Sequence, residues 1–213
     1  MVIIIGSQKG GVGKSTIAVN LCTVLAHQGK DVILVDSDRQ SSSSNWAEDR
    51  SENPDLPKVN FVQKYDNLRA TLKDLNSRYE YVIVDAAGRD SKELRTGLVA
   101  ANILLMPVRP SQFDLDTIPT MQEMVAEVRE ELNPELKFKA VLSMAATNPV
   151  IHEADEAEKY LLDCEDIELL KVVICERKVY RDSIYAGRGM GALEMDNAKA
   201  KAEMNKLVKE LLA

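Results

Sequence analysis

The segment 9–16, KGGVGKST, holds the residues of this sequence most committed to chemistry. Its closely spaced Gly10, Gly11 and Gly13 let successive backbone N–H groups turn toward one point and wrap the oxygens of a phosphate, with Val12 as the apolar member of the loop. A helix starting at Lys14 would add the partial positive charge of its N-terminus. Lys14 brings a full charge on a stem long enough for terminal phosphates, and the Ser15 hydroxyl, followed by Thr16, offers an oxygen to a magnesium ion travelling with them. A plain glycine turn accounts for the glycines, but not for Lys14-Ser15 nor for the apolar run that precedes the loop.

Two further segments carry acids in suggestive places. Asp36-Ser37-Asp38-Arg39-Gln40 follows the run VILV, and Asp85 follows YVIV. Carboxylates beside a bound magnesium hold its water shell or orient an attacking water. Each acid alone reads as a solvated turn residue; the glycine loop upstream gives them a shared purpose.

The elements that must position these groups are short β-branched runs alternating with longer amphipathic stretches. Strands are expected at residues 2–5, 32–35, 59–62, 81–84, 102–106, 139–144 and 169–174, the fifth stopped by Pro107 and Pro110. Helices are expected at 14–28 (capped by Gly29), 67–77, 114–132 and 196–212, with residues 41–49 left as a polar stretch leading into a loop. Strands apolar on both faces belong in a sheet covered on both sides, and strand–helix alternation implies right-handed parallel crossovers. The fold class is therefore α/β, a doubly wound, mostly parallel sheet flanked by helices. Ligands bind outside the carboxyl ends of such strands, where the glycine loop and both acidic segments converge.

Composition narrows the function. The chain has 213 residues, 45% apolar and 29% charged, with a net charge of −7. That charge disfavours nucleic-acid binding over the whole surface. Residues 171–213, however, carry nine Lys/Arg against six Asp/Glu, so a local basic face stays open. Cys22, Cys164 and Cys175 form no CxxC pair and fit a reduced cytoplasm. No apolar run approaches membrane-spanning length, and the apolar part of the N-terminus is too short for a secretory signal. His27 and His152 lack zinc-ligand spacing, no Gly-x-Ser-x-Gly or Cys/His signature supports covalent catalysis, and Trp46 reads as packing.

The loop departs from GxxxxGK[ST]: position 8 is Gln, and Lys9 precedes the double glycine. KGGVGKS resembles the deviant Walker A motif of the ParA/MinD family of P-loop ATPases. The segments DSDRQ, VIVDAAG and PVRPS follow in family order and spacing over nearly the whole chain, here one ATPase domain over residues 1–213. The closest likeness is to the small ParA type, similar to ParF-like plasmid partition proteins, because the loop so near Met1 leaves no room for a helix-turn-helix domain before it. The resemblance implies that Lys9 reaches across an ATP-sandwich homodimer to the partner's nucleotide, a cation delivered to the charge developing on the transferring phosphate. It implies that Lys9, Lys14 and Asp38 serve catalysis, with Asp38 positioning the water, and that Ser15, Asp36 and Asp85 hold magnesium. Arg39 stands where the family usually has Pro, and Asp85-Ala86-Ala87-Gly88 lacks the usual Pro, with Gly88 left to move with the γ-phosphate. Pro107 and Pro110 of PVRPS, and Asn148 after the sixth strand, are expected near the nucleotide; absence of NKxD favours ATP over GTP.

The resemblance further implies non-specific DNA binding, stimulation by a ParB-like centromere-binding partner, and a cytoplasmic, nucleoid-associated protein without stable membrane association. Arg177, Lys178, Arg181 and Arg188, interleaved with Tyr180 and Tyr185, form the best phosphate-facing cluster, doubled by two-fold symmetry in a dimer. The alternatives are a MinD-like membrane ATPase, whose C-terminal helix would need a basic amphipathic face, and a nucleotide-gated switch with little turnover. The cysteines are poorly placed for an electron-transfer ATPase with a cluster.

Overall fold

The computed structural model describes residues 1–88, 90–148, 152–185 and 188–213. The chain runs through β1 (Val2–Ile5), α1 (Lys14–His27), β2 (Val32–Asp36), α2 (Ser42–Ser51), β3 (Asn60–Gln63), α3 (Arg69–Arg78), β4 (Tyr81–Asp85), α4 (Lys92–Leu98) and β5 (Ile103–Val108). It continues through α5 (Gln112–Leu115), α6 (Ile118–Glu131), β6 (Lys137–Ala145), α7 (Glu153–Leu162), β7 (Glu168–Cys175), α8 (Lys178–Ser183), a 3₁₀ turn at Ala192–Glu194 and α9 (Ala198–Leu211). The seven strands form one sheet in the order β3-β2-β4-β1-β5-β6-β7, and every pairing is parallel. The alternating pattern of the sequence thus gives the expected doubly wound architecture.

Residues alternate between the two faces of each strand, which explains why the strands are apolar throughout. Ile3 and Ile5 pack into a core shared with α1, α2 and α9, whereas Val2 and Ile4 pack into a second core shared with α3, α4, α6 and α7. The last helix gives its apolar stripe, Met204, Leu207, Val208 and Leu211, to the first core. Helix α1 ends as expected: Gly29 adopts a φ of 72°, and Lys30 N–H donates to the Leu25 carbonyl at 3.0 Å.

Three local expectations need correction. Pro107 lies inside β5 instead of stopping it. Leu105 turns its carbonyl toward β1, where Gly6 N–H donates to it at 3.1 Å. Pro107, two residues on, faces the same side after β1 has ended, so its missing N–H interrupts no ladder. The long helix is two helices, because Pro119 enters at the start of α6 and its ring cannot follow an unbroken helix from α5. The serine run is the first turn of α2, and its cap comes from a distant residue described below.

Candidate functional site

The site sits beyond the carboxyl ends of β2, β4 and β1, adjacent in the sheet at the point where the winding direction changes. The glycine loop leaves β1 and enters α1 with Gly11 at φ 74° and Gly13 at φ 89°, both in the left-handed region that a Cβ disfavours. The hydroxyl of Ser143 in β6 donates to the Val12 carbonyl at 2.8 Å and pins the loop from behind. Lys14 is buried; its Nζ donates to the Lys9 carbonyl at 2.8 Å and to Ser7 Oγ at 3.4 Å. Burial pulls the Lys14 pKa below the usual lysine value, while the negative charges of Asp85 and Asp38 work against that shift.

Gly88 closes against the loop from the β4 side. A Cβ there would meet the Lys9 carbonyl oxygen at 2.6 Å, Lys14 Nζ at 2.7 Å and Gly10 Cα at 2.9 Å. A side chain therefore has no room where the β4–α4 connection crosses the glycine loop.

Asp36 and Asp85 are register partners at the ends of β2 and β4, but their environments differ. Asp36 is held by its own segment: Oδ1 accepts from Asp38 N–H at 3.0 Å, and Oδ2 accepts from both the N–H and the hydroxyl of Ser44 at 2.8 Å. It caps α2 from eight residues away and shapes the 36–44 connection. Three bonds fix the Asp36 carboxylate and leave part of its lone-pair capacity for the expected contact with a magnesium shell. Asp85 is equally buried, yet neither of its oxygens receives a hydrogen bond among the described residues. Desolvation pushes its pKa up from 3.8 to about 7; the hydroxyls of Ser15 and Ser43 stand near enough to favour the charged form, and Asp36 disfavours it. Ser43 Oγ is itself buried without a bonded partner among the described residues. A buried carboxylate with both oxygens unpaired, beside the Ser15 hydroxyl, suits a hard cation that takes few protein oxygens. Asp38, half-buried, turns one oxygen to Gln40 N–H at 3.0 Å.

One cavity of about 640 Å³ is walled by Gly10, Gly11, Gly13, Lys14, Ser15, Thr16, Asp38, Arg39, Gln40, Ser42, Ala87, Gly88 and Met144; the buried Asp36 and Asp85 are not among its lining residues. A smaller, mostly apolar cavity of about 80 Å³ shares Gly13, Thr16 and Met144 with it and continues past Ile174, Cys175, Arg177, Tyr180 and Arg181. Lys9 is absent from the large cavity. It lines a separate narrow cleft with Pro107 and Asp114, and its ammonium has no hydrogen-bond or ion-pair partner among the described residues. Pro107 shares that cleft, Pro110 is buried, and Asn148 is exposed beyond β6; none of the three lines the phosphate cavity.

A family model described as the CobQ/CobB/MinD/ParA nucleotide-binding domain matches residues 3–188. The chain belongs to that family. Among curated relatives of this CobQ/CobB/MinD/ParA chain, the protein ParA of Rhizobium radiobacter is 27% identical over 210 residues, 94% of each chain. The maintenance of carboxysome distribution protein A of Halothiobacillus neapolitanus is 25% identical, covering 98% of this chain and 94% of its own. Two solved structures share the fold over 99% of this chain at 19% identity. They are a plasmid partition protein of Borrelia burgdorferi bound to AMPPNP, with a TM-score of 0.77 over 98% of that chain, and the MinD cell division protein of Aquifex aeolicus, at 0.79 over 96%.

Within this family member, the glycine loop, Lys14, Ser15 and Asp38 line one cavity, Asp85 is buried at the end of β4, and the basic cluster is rearranged. Arg177 is tied to Glu203 at 2.6 and 2.8 Å with 17% of its side chain exposed, so it does not present itself to a DNA phosphate. Lys178 pairs with Asp182 at 2.8 Å and Arg181 with Glu176 at 3.2 Å, while Arg188 is exposed. Sequence reasoning missed Met144, which lines both cavities from a left-handed conformation (φ 52°) at an irregularity of β6. It also missed the Arg50–Glu194 pair beside Trp46, a buried link at 2.7 and 3.0 Å between α2 and the 3₁₀ turn. No local signal marks Met144, and the first turn of α2 rests on Asp36, eight residues before Ser44.

Proposed function

We propose that this chain is a ParA-type partition ATPase, a single domain over residues 1–213 that binds magnesium-ATP, dimerises around it and hydrolyses it. The observation that carries this reading is the division of the two lysines. Lys14 lies in the phosphate cavity, whereas Lys9, on the same loop, lies outside it without a partner among the described residues. A cation so placed serves a phosphate other than its own chain's, which a two-fold sandwich supplies. The loop N–H groups and Lys14 would hold the phosphates, and Asp38 would position a water for in-line attack. Ser15 and Asp85 would hold magnesium, which when bound offsets charge on the phosphate oxygens. The apolar cavity that shares Gly13, Thr16 and Met144 with the phosphate cavity suits the base, with Arg177 and Arg181 at its wall.

The partners follow the same reading: a second copy, a ParB-like protein that stimulates turnover, and non-specific DNA, giving a cytoplasmic, nucleoid-associated protein. The DNA face would draw on Lys178, Arg181 and Arg188 of both copies, their intramolecular pairs exchanging for phosphate contacts. A MinD-like membrane role finds little support in α9, whose apolar stripe is spent on the core. Light scattering with a non-hydrolysable ATP analogue tests the reading. Wild type is expected to dimerise and, with ATP and DNA, to be retained in gel shifts that weaken with salt. A chain that stays monomeric with bound analogue at every concentration refutes it.

A further inference from the structure

Arg39 stands at the corner of a turn fixed from several sides. Asp38 N–H donates to Asp36 Oδ1 at 3.0 Å, Gln40 N–H to Asp38 Oδ1 at 3.0 Å, and Ser41 N–H to the Asp38 carbonyl at 2.9 Å. The turn places Arg39 on the wall of the phosphate cavity, where Lys14 is the other cation among the lining residues. Its guanidinium lies 5.0 Å from the centroid of the Tyr65 ring, and the Tyr65 hydroxyl stands 3.4 Å from Ser41 Oγ. No carboxylate pairs with Arg39 among the described residues. Glu93 feels its charge, but Glu93 Oε1 already accepts from Asp66 N–H at 2.9 Å.

The cavity has two chemically different ends. Gly13, Thr16 and Met144 also line the apolar cavity. Asp38, Arg39, Gln40, Ala87 and Gly88 line the large cavity only. A nucleotide with its base toward the apolar side sends its last phosphate toward Arg39. A guanidinium presents a planar fork that matches two phosphate oxygens, and stacking on an aromatic ring restricts its rotamers before any ligand arrives. We propose that Arg39 is a phosphate-binding specificity residue: a second cation supplied by the same chain, which contacts the terminal phosphate and selects nucleoside triphosphate over diphosphate. Tyr65 is its positioning residue. The proposal rests on the reading of the cavity as an ATP site.

Equilibrium titration with a fluorescent ATPγS analogue and with the matching ADP analogue, both with magnesium, tests it. Arg39→Ala is expected to weaken ATPγS binding about tenfold, the scale of one lost charge-assisted hydrogen bond, and to change ADP binding by less than about twofold. Arg39→Lys, keeping the charge without the fork, falls between. Tyr65→Leu is expected to lower the triphosphate preference about threefold while Tyr65→Phe, which keeps the ring, retains it. Arg39 is exposed, so thermal melting of Arg39→Ala is expected to match wild type. If wild type binds ATPγS and Arg39→Ala weakens both nucleotides equally, or neither, the specificity role is wrong while the ATP site stands. If wild type binds neither nucleotide, both readings fall together.

Discussion

Replacing Asp85 by Asn is expected to stabilise the nucleotide-free protein while impairing its function. The carboxylate is completely buried and receives no hydrogen bond among the described residues, and burial raises its pKa from 3.8 to about 7. The sign follows from linkage: the folded state keeps the proton to higher pH than the unfolded chain, so this group's contribution is greatest in acid. Stability is lost as pH rises from the ordinary carboxylate range to about 7. Each tenfold displacement of a protonation equilibrium corresponds to about 1.4 kcal/mol, so the ionised carboxylate costs up to about 4 kcal/mol at pH 8. An amide has no charge to desolvate but is still a buried polar group, which takes back about 1–3 kcal/mol unless Ser15 or Ser43 bonds it. A net gain of about 1–3 kcal/mol raises the melting midpoint by about 2–10 °C for a chain of this size. Thermal melts of Asp85→Asn and wild type, without nucleotide, are to be compared at pH 8 and pH 5.5. The variant is expected to lead at pH 8, and its lead to shrink by about 2 kcal/mol at pH 5.5, where the folded carboxyl is protonated but the unfolded chain is still ionised. Saturating magnesium-ATP is then expected to raise wild type by more than the variant. A variant that melts at or below wild type at pH 8 refutes the idea that the unpaired carboxylate is held at a cost for the ligand.

Gly88→Ala forces a methyl against Lys9, Lys14 and Gly10; ATP affinity is expected to fall at least about tenfold, read by nucleotide titration, with an unchanged far-UV spectrum. Lys9→Ala is expected to keep monomeric nucleotide binding within about threefold but to abolish partner- and DNA-stimulated hydrolysis, as loss of a cation supplied in trans costs about 10³-fold or more; unimpaired steady-state turnover would count against the trans role. Asp38→Ala is expected to bind ATP and dimerise without turnover, so equal hydrolysis by the variant and wild type under every condition overturns the water-positioning role. Arg50→Met leaves the Glu194 carboxylate buried without its main partner, and denaturant unfolding is expected to show a loss of about 3–5 kcal/mol. Arg50→Met/Glu194→Met is expected to recover a substantial part of that loss.

The sequence alone determined the fold class and the phosphate chemistry, because both rest on local rules. Strand period, helix capping at Gly29 and the glycine–lysine–serine order of the loop each act over a few residues, and the structure returns them nearly unchanged. Pro107 and the serine run escape local rules because their context is distant: one depends on where β1 stops, the other on an Asp eight residues away that satisfies the first turn of α2. The tertiary structure likewise decided the surroundings of the acids. Asp36 and Asp85 look alike as strand-ending carboxylates, yet one is bonded to α2 and the other receives no hydrogen bond among the described residues. It also took Arg177 from a DNA-facing patch by pairing it with Glu203 in α9. And it separated the two lysines of one loop, with Lys14 turned into the cavity and Lys9 placed outside it. Neighbouring residues on a sharply turning backbone can face different surroundings, and only the packing around the loop settles which surroundings each meets.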